Sequence, residues 1–245
     1  MATDESRNVL LTGVSRGLGL ETARGLLEAG WTVYGISRAR SVGWSALERA
    51  HPERARFHAA DLRDPAAAAE DLFASFVPYS VPLHGLVNNA AEAYDDLLTN
   101  LDLARLETMF ATNVFSAMAL SRLAIRNMLY HRTRGALVHV SSVSAHLGFK
   151  GLSLYAASKG ALEAFSKNLA REWGERGIRS NCVVPGFMET EMSAGLTAED
   201  RARIYRRTAL KAATDCASVA AAIRFLLSDE AASVTGQALR VDAGA

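Results

Sequence analysis

Short apolar and β-branched runs alternate with longer helical patterns along all 245 residues, and this alternation restricts the fold more than any other feature. Val9-Leu10-Leu11-Thr12 predicts a buried strand over 9–12, followed by a helix over 17–29 that Gly30 ends. Further strands are predicted over 31–37, 57–60, 83–87, 136–141, 178–184 and 238–241. Between them the spacing predicts helices over 44–50, 65–76, 103–130, 153–176 and 217–227, with Pro65 suited to a first helical turn. Strand, helix and strand in repeated succession build parallel βαβ units with right-handed crossovers. There are no internal repeats, low-complexity segments or Pro/Ser-rich linkers. The expectation is one domain over 1–245: an α/β, doubly wound parallel sheet of about seven strands with helices on both faces.

Composition narrows the function classes. With 27 Lys+Arg against 26 Asp+Glu, the net charge of +1 argues against a surface that coats nucleic acid or anionic membranes. No 18 apolar residues run uninterrupted, so no membrane span is expected. Cys182 and Cys216 are too few for a disulfide framework and fit a reducing, cytoplasmic setting.

The chemistry-bearing residues fall where strands end. Thr12-Gly13-Val14-Ser15-Arg16-Gly17-Leu18-Gly19 directly follows the first predicted strand and opens a helix. Gly13 permits a tight turn, and Gly17 and Gly19 let backbone N–H groups and the helix N-terminus approach a pyrophosphate. The spacing differs from the commoner G-x-G-x-x-G, and alone it is equally a glycine-rich turn with no ligand. The second strand ends at Ser37-Arg38, where a carboxylate would select NAD. Arg16 and Arg38 flanking one pocket favour a 2′-phosphate and hence NADP, although each arginine alone reads as a solvated surface residue.

Tyr155 and Lys159 stand four apart on a predicted helix and so share a face. Moving protons near pH 7 would require the phenol to fall by about 3 pH units, roughly 4 kcal/mol, which a unit charge about 4 Å away supplies. A lone Tyr-x-x-x-Lys is equally a packed ring beside a solvated amine. Here it accompanies Ser141-Ser142 and Asn88-Asn89-Ala90-Ala91 at strand ends, and Asn113 within an apolar helix, where a buried amide needs partners.

Jointly these motifs resemble the short-chain dehydrogenase/reductase family from Val9 to Gly244, with Asp61-Leu62 and Pro185-Gly186 completing the pattern. The resemblance implies a Rossmann fold. It implies that Tyr155 is the general acid for carbonyl reduction and that Ser142 hydrogen-bonds the substrate carbonyl. Lys159 would lower the Tyr155 pKa and bind the nicotinamide ribose, and Asn113 would hold a water in a proton relay. Cofactor contacts would come from Thr12, Gly13, Ser15, Arg16, Gly17, Leu18, Gly19, Ser37 and Arg38. Asp61 and Leu62 would lie at the adenine, and Asn89, Ala90 and Ala91 along the cleft. Tyr155, Lys159, Pro185, Gly186, Met188 and Thr190 would surround the nicotinamide. Ala91 departs from the glycine of many members. No metal is implied.

Asp95-Asp96-Leu97-Leu98, residues 185–192 and residues 228–232 look most like 3-oxoacyl-[acyl-carrier-protein] reductases. That subfamily implies a 3-oxoacyl thioester substrate, a homotetramer, and basic residues near the active-site mouth that receive an acidic carrier protein. Arg176 falls on one such position. Thr133 holds the other, flanked by Arg132 and Arg134. A lid is implied over about 187–208, carrying Arg201, Arg203, Arg206 and Arg207. The alternatives are a secondary alcohol, sugar, steroid or polyketide dehydrogenase, and a non-catalytic NADP-binding scaffold.

Overall fold

The computed structural model describes residues 7–190 and 195–245. Positions 191–194 of the expected lid lie outside the described residues. Seven parallel strands form one sheet: β1 (Asn8–Thr12), β2 (Thr32–Ser37), β3 (Ala55–Ala59), β4 (Gly85–Asn88), β5 (Ala136–Val140), β6 (Arg179–Pro185) and β7 (Ala238–Val241). Their order is β3-β2-β1-β4-β5-β6-β7. The chain winds outward from β1 to β3, then returns beside β1 and winds the other way. A crevice therefore opens at the carboxyl ends of β1 and β4, where such sheets bind ligands.

Strand side chains alternate between faces, so successive apolar residues feed two cores. Val9, Leu11, Val33, Val87, Val138 and Val183 pack under α1 (Gly17–Glu28) and α8 (Cys216–Leu227). Leu10, Ile36, Leu86 and Leu137 face the other way, under α3 (Pro65–Asp71), α5 (Ser116–His131) and α6 (Ser153–Trp173). Each fully buried aliphatic side chain contributes roughly 1.5–3 kcal/mol. The remaining helices are α2 (Val42–Ala50), α4 (Leu103–Phe110) and α7 (Ala198–Arg207).

Several boundaries differ from the sequence-based expectation, each for a local reason. The second helix begins two residues early because Ser41 caps it, its Oγ accepting from Trp44 N at 3.0 Å. The fourth strand starts at Gly85 because Leu83 N is taken by Asn127 Oδ1 at 2.8 Å. The predicted helix 65–76 ends in a π turn over Leu72–Phe76. The predicted helix 103–130 is broken by another, Ala111–Phe115, which holds Asn113. The helix over Ala198–Arg207, with its Thr197/Asp200 capping box, was not expected from the pattern. The run Leu103–His131 does reach the length and mean hydropathy, 1.2, of a membrane-crossing helix. More than half of it, 56%, is buried inside the fold, as a core helix is.

Candidate active site

The turn after β1 is stitched to the end of β4. Thr12 Oγ1 accepts from Asn89 N at 2.9 Å and Ala90 N at 2.8 Å, while Asn89 Nδ2 donates to Thr12 O at 2.8 Å and Gly13 O at 3.2 Å. Thr12, Asn89 and Ala90 thus build the cleft wall with the groups expected to face a ligand. Gly13 has φ +76° and donates to Ile36 O at 2.7 Å. A Cβ on Gly19 would lie 2.1 Å from Gly13 O, so this glycine also lets the helix pack on the turn.

Gly17 has φ +53°, and the space its side chain would fill faces Thr190, 3.6 Å away. The first turn of α1 holds no carboxylate. An open space beside an exposed helix N-terminus free of negative charge fits the pyrophosphate of a dinucleotide. Ser15, Arg16 and Leu18 lie on this same turn and first helical residues. Met188 packs its partly buried side chain against the core, with Cys216 Sγ 3.8 Å from its Sδ. Gly186 packs against Thr214 and Asp242, where a Cβ would meet Thr214 Oγ1 at 2.4 Å. Pro185 ends β6 beside it, and Ala91 lines the partly exposed stretch after β4.

At the carboxyl ends of β2 and β3 the structure brings Ser37, Arg38, Asp61 and the buried Leu62 together. Their partners were not legible. Ser37 Oγ donates to Ala39 O at 3.0 Å. Arg38 Nη1 stands 3.7 Å from Glu92 Oε1. Asp61, expected at the adenine, accepts from Arg63 N at 3.1 Å and from Arg63 Nε at 2.9 and 3.0 Å. These bonds to Arg63 hold its carboxyl down at about 2.

Ser142 closes the step after β5 and caps the short turn Val143–Ala145, its Oγ accepting from Ser144 N at 3.2 Å. It also lies near the phenol of Tyr155, where its hydroxyl acts to lower the phenol's pKa. Tyr155 and Lys159 share one face of α6, with Nζ 5.5 Å from the phenol ring centroid. Lys159 is fully buried and donates to Val140 O at 2.8 Å. Desolvation dominates both groups. It pushes Tyr155 up to about 12, with the Ser142 hydroxyl opposing and the Asp95 carboxylate adding to the rise. It pushes Lys159 down to about 8. Nζ is directed to Val140 O, and burial outweighs the charges near both groups.

Asn113 sits in the π turn with its amide committed to the scaffold. Oδ1 accepts from Glu92 N at 2.8 Å, and Nδ2 donates to Glu92 O at 2.9 Å and Ser158 Oγ at 3.1 Å. Ser158 Oγ in turn donates to Tyr155 O at 2.7 Å. Asn113 thereby ties the catalytic helix to the loop after β4, a role the expected relay water did not suggest.

Sequence reasoning missed Glu163, one turn beyond Lys159. Its Oε1 accepts from Ser141 Oγ at 2.5 Å and lies 3.0 Å from His146 Nε2, so it braces both sides of the Ser142 step. The i, i+4, i+8 spacing of Tyr155, Lys159 and Glu163 was the available signal.

The proposed carrier-binding arginines are elsewhere. Helices α5 and α6 run antiparallel to the strands, so Arg132, Thr133, Arg134 and Arg176 gather at the amino edge of the sheet. Arg132, Thr133 and Arg176 line a cleft of about 280 Å³ there with Met128, Leu129 and Glu175. At 1.5 Å per residue, Arg176 is about 30 Å along the helix from Tyr155. These side chains do not border the mouth of their own subunit's site. In α7, Arg201 stands 3.6 Å from Glu189 and Arg203 bonds Asp200 at 2.8 Å. Arg206 O accepts from Lys211 Nζ at 2.8 Å, and Arg207 ends the helix. No group of three or more potential metal ligands occurs among the described residues.

A family model described as enoyl-(acyl carrier protein) reductase matches residues 13–245. The 3-oxoacyl-[acyl-carrier-protein] reductase FabG of Escherichia coli (strain K12) is 34% identical over 243 residues, spanning 98% of this chain and 97% of that protein. The L-xylulose reductase of Caenorhabditis elegans is 31% identical over 240 residues, spanning 97% and 95%. The crystal structure of a gluconate 5-dehydrogenase from Burkholderia cenocepacia J2315, in complex with NADP and tartrate, has a TM-score of 0.88 at 27% identity, covering 97% of this chain and 94% of that one. Similarity that runs from the first glycine of the turn to the C-terminus, on a sheet with its cleft at the switch point, means that this chain belongs to the short-chain dehydrogenase/reductase family of NAD(P)-dependent oxidoreductases.

Proposed function

We propose that this protein reduces a 3-oxoacyl thioester to the 3-hydroxyacyl product with NADPH. The carrying observation is the near-complete match to a 3-oxoacyl-[acyl-carrier-protein] reductase, 34% identical over 98% of the chain. The cleft geometry supports carbonyl reduction. Tyr155, held near 12, carries its proton at neutral pH and is a ready donor to a developing alkoxide. Ser142, whose hydroxyl acts on that phenol, is placed to hold the same oxygen. Lys159 spends one of its three N–H donors on Val140 O, which leaves donors for a ribose diol. A bound nicotinamide cofactor supplies the hydride. The protein orients the carbonyl, delivers the proton and excludes water.

Arg16 and Arg38 support NADP over NAD, since guanidinium pairs well with phosphate. Arg38→Asp is expected to lower the ratio of NADPH to NADH efficiency by at least about tenfold, and an unchanged ratio in steady-state assays removes this assignment.

A sugar or polyol dehydrogenase is the second reading, favoured by the L-xylulose reductase and gluconate 5-dehydrogenase matches. A panel of acetoacetyl thioesters, xylulose and gluconate, each with NADPH/NADP and NADH/NAD, separates the two. The thioester is expected to lead in kcat/KM by at least about 100-fold; a sugar in that place overturns the proposal. Carrier delivery through Arg132, Arg134 and Arg176 requires a second subunit whose site lies beside them, so it belongs with the proposed homotetramer. The free cysteines Cys182 and Cys216 support a cytoplasmic setting.

A further inference from the structure

The adenosine end of the cleft carries four alternating charges, and two of them, Glu92 and Arg63, have no place in the proposed mechanism. Glu92 follows Asn89-Ala90-Ala91 beyond β4. Both its backbone N–H and its C=O are gripped by the Asn113 amide, at 2.8 and 2.9 Å, so its side chain leaves from a fixed point. Its carboxylate reaches Arg38 at 3.7 Å. Arg63, bonded to Asp61, also feels Glu92, and Asp61 feels Arg38. Arg38 with Glu92 and Arg63 with Asp61 therefore set two neutral pairs at the carboxyl ends of β2, β3 and β4, where a Rossmann sheet receives the adenosine ribose.

A pair of bare guanidinium groups would trap phosphate. Here Arg38 already faces Glu92, and Arg63 faces Asp61. A 2′-phosphate must draw Arg38 away from Glu92 and then sit near a like charge, whereas a ribose 2′-hydroxyl meets neither obstacle.

We infer that Glu92 is a specificity-determining residue: it occupies Arg38 as an internal counter-anion and so restrains discrimination in favour of the 2′-phosphate. The inference rests on the NADP reading for the site. It predicts that this chain uses NADH more readily than its two arginines suggest.

The test measures binding by calorimetry, independent of turnover. Wild type, E92Q, R38Q and the double variant are titrated with 2′,5′-ADP and with 5′-ADP, and melting temperatures confirm folding. E92Q is expected to bind 2′,5′-ADP about three- to tenfold tighter, as removal of one partly exposed opposing charge allows, with 5′-ADP unchanged. In the R38Q background that gain is expected to shrink, because the two side chains act as a pair. Equal tightening of both ligands, or a full gain without Arg38, overturns the inference. If wild type binds 2′,5′-ADP better than 5′-ADP and E92Q alters nothing, the inference fails while the NADP reading stands. If discrimination emerges only in E92Q, the inference holds and the NADP reading of the native protein fails. If neither protein discriminates, both fail.

Discussion

Tyr155→Phe is expected to lower NADPH-linked ketone reduction by about 10²–10⁴-fold, with NADPH binding retained within a factor of about three. The phenylalanine ring keeps the packing on α6 and removes only the hydroxyl that Ser142 acts on. Without that proton the alkoxide must find one from water. Single-turnover kinetics and fluorescence titration separate the two effects. Unchanged turnover would remove Tyr155 from the chemistry. Loss of cofactor binding in parallel would mean that the hydroxyl shapes the cleft instead. Desolvation also fixes the pH behaviour. With the phenol near 12, reduction is expected to stay level across neutral pH, while oxidation of the alcohol, which needs the phenolate, climbs with pH.

Lys159→Met is expected to lose at least about 100-fold in kcat/KM while raising the melting temperature by about 2–4 °C at neutral pH. Burial holds the lysine near 8 against an ordinary 10.5. At pH 7 it is charged both folded and unfolded, so the folded state carries a desolvation cost of about 3 kcal/mol. The lost bond to Val140 O offsets part of the gain, at about 1–3 kcal/mol. The sign of the pH dependence follows from the lowered pKa. Between about 8 and 10.5 the unfolded chain binds the extra proton, so wild-type stability rises with pH relative to the variant. Paired thermal melts at neutral and alkaline pH test this. A variant that melts lower at neutral pH, with a gap that does not change with pH, would show Lys159 to be structural.

Some features of the site were legible because they are local. Tyr155 and Lys159 face one way because a helix turns every 3.6 residues, and Val9, Leu10 and Leu11 divide between two cores because a strand alternates. The turn at Gly13 was visible for the same reason, whereas the packing role of Gly19 depends on the carbonyl of Gly13 folding back over it. The π turn at Asn113 escaped notice, because nothing in its neighbours' periodicity signals that Glu92 and Ser158 will claim the amide. Glu163 had a readable spacing, yet its meaning came only with Ser141 and His146 beside it.

By itself the sequence determined the fold class, the order of the strands along the chain, and the shared face of Tyr155 and Lys159, since these follow from short-range steric and periodic constraints. Tertiary structure alone decided that burial pushes the Tyr155 pKa up and the Lys159 pKa down, that Glu92 answers Arg38, and that Arg132, Arg134 and Arg176 lie at the far edge of the sheet. Desolvation and charge pairing belong to the assembled interior, where segments distant in the chain meet, and no local pattern encodes them.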